Sequence, residues 1–185
     1  MSLFTSHRES RLWIWAGTAA IAVFASIPFA GSLVTLIEEP VATTLFVVGL
    51  LLILAGLAVF ALRIRPGPEE LAIALVIGAA YLLLFSRMSI PAERTHLVEY
   101  GVIAVLIRAA LVERRSNGQF RHNASLVAVG AAMALGTVDE LIQAFIPSRV
   151  FDWRDIGFNA GAALLAIIAV QALAWARKRR TGTTR

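Results

Sequence analysis

Residues 12–37 read LWIWAGTAAIAVFASIPFAGSLVTLI and contain no charged residue. A helix needs about 20 apolar residues to cross a bilayer, so this run is long enough to do so. It shows no period-two alternation and is too long for a strand. In lipid a helix satisfies its own backbone hydrogen bonds, whereas an open sheet edge leaves several unmet. The same pattern recurs along the chain. Residues 41–62 are free of charge, and residues 71–86 form a shorter clean run. Residues 97–112 carry Glu99 and Arg108. Residues 123–146 are clean up to Asp139 and Glu140, and residues 156–176 are again uncharged. The sequence therefore predicts an all-α polytopic membrane helix bundle of about six transmembrane helices.

Composition agrees. Of 185 residues, 58% are hydrophobic and 16% charged, against about 25% charged in an ordinary soluble domain. A soluble enzyme and a disordered chain are excluded. With no cysteine, so are a disulfide scaffold, thiolate metal sites and thiol nucleophiles. The net charge of +5 does not indicate nucleic acid, because the basic residues sit between apolar runs and not on one basic, aromatic-bearing face. The first run is not expected to be a cleaved signal peptide, since it lacks a small-residue cleavage site and further spans follow. Trp13 and Trp15, preceded by Arg8 and Arg11, look like interface anchors.

Loops are expected where the apolar runs break. Glu38, Glu39 and Pro40 mark the first, and Pro66, Gly67 and Pro68 the second. Pro91 marks the third, Asn117 and Gly118 the fourth, and residues 147–155 the fifth. The chain divides into residues 1–90 with three helices, residues 91–176 with the polar motifs, and a basic tail over residues 177–185.

With six spans, both termini share one side. That side carries 13 of the 17 basic residues and four of the 12 acids, a net of +9 against −4 opposite. By the positive-inside rule the termini are cytoplasmic. The unusual polar residues then fall at the outer end.

In a helix, His96 shares a face with Glu99 and Tyr100. Asp139, Glu140 and Gln143 close the fifth run, ahead of Pro147 and Arg149. Asp152, Arg154 and Asp155 open the sixth, with Asn159 one turn later. Ionisable groups at membrane depth are functional candidates by default. Glu140 and His96 are candidate acid and base, and Asp155 with Asn159 forms a polar face. Arg149 and Arg154 suit a phosphate or carboxylate. Each has a plainer role. Glu140 could pair with Arg149 or Arg154, and Gln143 could orient a neighbour. Asp139, about 100° around the helix from Glu140, could reach the interface. Asp152 could cap the sixth helix, with Asp155 completing a capping-box variant. Gly130, Gly136, Gly157 and Gly161 are expected to let helices approach closely. The basic tail is expected to anchor topology on anionic lipid. No metal is assigned, because His7 and His122 fall on the opposite face from His96, although Glu99, Glu140 and Asp155 would suit a hard cation. No cofactor is implied.

The stretch Asp139-Glu140-x-x-Gln143-x-x-x-Pro147-x-Arg149, followed by Asp155-x-x-x-Asn159, resembles the C-terminal signature of the VanZ-like family of bacterial membrane proteins. His96-x-x-Glu99-Tyr100 resembles the family's earlier His-x-x-x-Tyr element. The likeness covers roughly residues 90–170. Ala162 stands where the family often has glycine, and Glu93 where it often has a basic residue. The resemblance implies a place in the bacterial cytoplasmic membrane and a role in the cell envelope. The founding member is associated with resistance to the glycopeptide teicoplanin.

The expected site is an outer-facing polar pocket. Arg149 and Arg154 would hold an anionic lipid headgroup, a lipid-linked wall precursor or a glycopeptide. Glu140, His96 and Asp155 would be the catalytic candidates. Glu99, Tyr100, Asp139, Gln143 and Asn159 would contribute to binding. An intramembrane hydrolase or transferase acting on an envelope lipid, and a small proton-linked transport or accessory subunit, remain as alternatives.

Overall fold

The computed structural model describes residues 3–36, 41, 44, 48, 65–87, 95–146 and 151–183, without the side chains of residues 29–36, 96 and 183. Five helices are defined: α1 (His7–Leu36), α2 (Pro68–Arg87), α3 (His96–Ser116), α4 (Ala124–Gln143) and α5 (Trp153–Thr183). There is no strand among the described residues. Of the apolar run at 41–62, only residues 41, 44 and 48 are described, each helical. The rest of that expected span lies outside the described residues.

The helix boundaries follow from local chemistry. Ser6 accepts the N–H of Glu9 at 3.0 Å, the start signal of a Ser-x-x-Glu box. The Glu9 carboxylate closes onto Thr5 instead of Ser6, accepting its N–H at 2.7 Å and its hydroxyl at 2.6 Å. At the head of α2 the Gly67 N–H donates to Glu70 at 2.6 Å. α3 ends at Asn117 and Gly118. Gly118 takes φ +75°, a left-handed conformation open to glycine, and the N–H groups of Gly118 and Gln119 return to the carbonyls of Arg115 and Arg114. Asn123 caps α4, its Oδ1 accepting from Ser125 and Leu126. Asp152 caps α5 as expected, accepting the Arg154 N–H at 2.8 Å. α5 continues past the apolar run to Thr183, so the basic segment Arg177, Lys178, Arg179 and Arg180 is helical.

Among the described residues four stretches are long and apolar enough to cross a membrane: His7–Pro28, Pro68–Arg87, Ala124–Gln143 and Trp153–Gly182. Large apolar side chains such as Leu75, Val76, Leu82, Leu126 and Ile21 point outward and are exposed. In water so broad an apolar surface would be a liability; in lipid it is the solvated face. α3, with Glu99, Arg108, Glu113, Arg114 and Arg115, is the more polar helix and sits innermost, against α1, α4 and α5, while α2 packs on α5. The core consists of Tyr100, Ile103, Ala104, Ile107 and Leu111 of α3 with alanines of α4 and α5.

α4 shows why the helices can approach so closely. Its buried residues include Ala124, Ala128, Ala132, Gly136 and Glu140, a stripe at strict four-residue spacing. Small residues on one face let backbones come together. Of the four glycines expected to do this, Gly136 does. A Cβ there would lie 2.8 Å from the Asn159 Cβ. Gly130, Gly157 and Gly161 do not, for a Cβ at any of them would meet open space. Gly101 is a contact the sequence reading did not single out. A Cβ there would stand 3.4 Å from the Ala166 Cβ and 3.3 Å from the Tyr81 hydroxyl.

Polar ties fix which helix ends meet. Arg114 Nε lies 2.7 Å from Glu9, joining the end of α3 to the start of α1. Arg177 and Arg180 lie 3.2 and 3.0 Å from Glu70, joining the end of α5 to the start of α2. These two arginines therefore turn onto a carboxylate. Tyr100 with Asp139, and Arg108 with Ser125, set α3 antiparallel to α4. The first turns of α3 and α5 and the last turns of α4 thereby come together at the far end, away from both termini.

Candidate functional site

Asp139 is the centre of that far end. It is fully buried, and its carboxylate accepts two side-chain hydrogen bonds. The Tyr100 hydroxyl donates to Oδ2 at 2.7 Å, and Gln143 Nε2 donates to Oδ1 at 3.1 Å. The expectation that Asp139 reaches the membrane interface is corrected. Its angular offset from Glu140 aims it at α3, where Tyr100 waits. Gln143 orients a neighbour, as expected, and the neighbour is Asp139, one helical turn back.

Glu140 is likewise fully buried. It falls one turn after Gly136 on the same face of α4, the face that meets Asn159. Glu99, half-buried on α3, directly precedes Tyr100 in the chain.

Asn159 approaches from α5. It is fully buried, and neither its Oδ1 nor its Nδ2 has a hydrogen-bond partner among the described residues. Gly136 admits it, because only a residue without a side chain leaves room at that contact. Asp155, also buried, precedes it by one turn, so the pair occupies one helical face as the spacing implied. Ala162 is fully buried on the same helix, and its carbonyl faces Gly101.

The remaining candidates separate from this cluster. Arg154 is exposed at the head of α5. The first turn of α5 directs it outward while Asp155 turns in, so it does not join the buried cluster. Arg149 lies outside the described residues. For His96 the helical backbone is described, and its side chain lies outside the description. No group of three or more His, Asp or Glu side chains is placed to share a metal ion among the described residues. Glu99, Glu140 and Asp155 therefore do not form the hard-cation set that the sequence allowed.

The site is closed as well as polar. Tyr100, Asp139, Glu140 and Asn159 have no exposed surface, so at the described residues it is a packed polar core and not an open cavity. Sequence reasoning missed two parts of it: Asp139 as the central acceptor, and Gly136 as the specific seat for Asn159. The four-residue repeat of small residues leading to Glu140 was the signal for the second.

The fold and site together define a helical protein suited to a membrane, with an acid–amide cluster buried at one end. Comparison with protein-family models, with curated proteins and with solved structures returns no match.

Proposed function

We propose that the protein is a VanZ-like integral membrane protein of the bacterial cytoplasmic membrane, with six spans and both termini cytoplasmic. Its acid–amide cluster, at the outer end and closed at the described residues, takes the polar portion of an envelope lipid, a lipid-linked wall precursor or a glycopeptide when α4 and α5 part there. The observation that carries this reading is Asn159. Buried polar groups are almost always paired, and an orphaned one calls for a bound partner or a catalytic role. An unpaired side-chain amide at membrane depth costs free energy that ordinary packing does not return. The motif residues Asp139, Glu140, Gln143 and Asn159 lie in and around the same cluster, which supports reading them as one site.

The charge of the cluster narrows the ligand. Buried carboxylates repel an anion, so the part that enters is a hydroxyl or an amine, which can donate to Asp139, Glu140 and the Asn159 oxygen. A phosphate on the same molecule would stay outside, near Arg154. A fully buried carboxylate at Glu140 also favours a second reading, an intramembrane hydrolase or transferase, in which Glu140 moves a proton.

The test is lipid and wall-precursor analysis of membranes, with teicoplanin susceptibility, in cells carrying the wild type, Asn159→Ala or Glu140→Gln. Asn159→Ala is expected to abolish the phenotype with the protein still present in the membrane. Under the binding reading Glu140→Gln keeps ligand and phenotype; under the enzyme reading it keeps ligand and loses turnover. An unchanged phenotype in Asn159→Ala overturns both.

A further inference from the structure

The first turns of α1 carry a second feature, at the opposite end of the bundle from the acid–amide cluster. His7, Arg8, Arg11, Leu12 and Trp15 line a cavity of about 480 Å³. They fall at i, i+1, i+4, i+5 and i+8, one face of the helix. The other face of the same turns is immobilised on α3. There Glu9 meets Arg114, and Ser6 donates to Glu113 at 3.0 Å. Asn117 donates to Thr5 at 3.0 Å, and Arg114 to the Leu3 carbonyl at 2.7 Å. The cavity is therefore presented from a braced segment.

Among the described residues its charge is unbalanced. Glu9, the carboxylate within these turns, is buried on the far face and taken up by Thr5, Trp13 and Arg114. Arg8 reaches Glu113 only at 3.6 Å, with its side chain 78% exposed. Arg11 has no carboxylate partner among the described residues. Two guanidinium groups three residues apart on one helical face repel each other, and an anion between them removes that repulsion. The polarity is also graded. The cations come first, and Leu12 and the exposed Trp15 follow about one to two turns deeper, toward the apolar run. A phosphate above and a glycerol or acyl segment below match that gradient, and tryptophan at the headgroup level is a membrane-interface anchor.

We infer that this cavity is a binding site for the headgroup phosphate of an anionic phospholipid, held by Arg8 and Arg11 with His7 beside them and packed below by Trp15. The inference uses α1 as a membrane span and is independent of the acid–amide cluster, so either can fail alone.

The full chain, purified in a mild detergent, is offered phosphatidylglycerol or phosphatidylcholine, and retained lipid is counted by native mass spectrometry. Preferential retention of phosphatidylglycerol is expected. A basic side chain near an anionic headgroup contributes about fivefold in retention. Arg11→Gln, at a residue without a carboxylate partner among the described residues, should lower retention by about that factor, and Arg8→Gln/Arg11→Gln further. Arg8→Lys/Arg11→Lys should restore most of it. Arg179→Gln, at the other terminus, should leave it unchanged. Equal retention in Arg11→Gln and wild type overturns the site, as does an equal loss in Arg179→Gln. Displacement of phosphatidylglycerol by millimolar inorganic phosphate would show a simple anion site and would likewise overturn it.

Discussion

At the residue scale the decisive contact is between Tyr100 and Asp139. The phenol fills the space between α3 and α4 and also delivers the hydrogen bond of 2.7 Å on which a fully buried carboxylate depends. Removing one partner of such a bond costs the desolvation of the group left behind, about 1–3 kcal/mol. Tyr100→Phe is therefore expected to lower stability by that amount in detergent, read by thermal unfolding, with ring packing preserved. Gln143→Leu removes the second donor to the same carboxylate and should act in the same direction. If Tyr100→Phe were as stable as wild type, Asp139 would not depend on this bond. The pairing was only half legible in the sequence. The spacing put Tyr100 and Asp139 on two candidate helices, but the facing direction of Asp139 depends on how α4 is rotated against α3, and one helix's sequence does not contain that rotation.

At the scale of elements, α4 is organised by its stripe of small residues, and Gly136 is the point where the stripe meets a polar side chain. Gly136→Ala places a methyl carbon 2.8 Å from the Asn159 Cβ. Overpacking of this kind costs about 1–3 kcal/mol, and here it would also push Asn159 off its seat and disturb the site. Gly130→Ala is the matched control, because its Cβ meets open space. It should be neutral or stabilising by up to about 1 kcal/mol through helix propensity. The two variants, compared by thermal unfolding and by the phenotype assay, separate packing from propensity. Equal behaviour would mean that α4 and α5 are not in contact as described. From sequence the glycines looked alike. What distinguishes them is the face on which each falls, and the alanines at 124, 128 and 132 mark that face.

At the scale of the molecule, the ends of the helices report the topology. Glu9 with Arg114, and Glu70 with Arg177 and Arg180, gather the starts of α1 and α2 and the ends of α3 and α5. In the proposed orientation that end faces the cytoplasm. The chain has no cysteine, so single cysteines report cleanly on sidedness. Gly118→Cys and Thr181→Cys, at exposed positions, should react with a membrane-impermeant thiol reagent only in opened cells. Phe145→Cys, 87% exposed at the end of α4, should react in intact cells. Labelling of residues 118 and 145 from the same side would contradict the alternation of α3 and α4. Residue 140 itself is unsuited to such labelling, because Glu140 is fully buried.

The amino-acid sequence alone was sufficient for the helical class, the apolar stretches and the cap at Asp152. These are local properties: backbone satisfaction in lipid depends on run length, and capping depends on neighbours within one turn. It also named Glu140, Gln143, Asp155 and Asn159, since polarity inside an apolar run stands out without any fold. Only the tertiary structure decided that Asp139 turns inward, that Arg154 turns away and that Gly136 alone of four glycines receives a side chain. The reason is geometric. Period and spacing fix which residues share a face of one helix, whereas the partner of that face is set by rotation and contact between helices far apart in the chain.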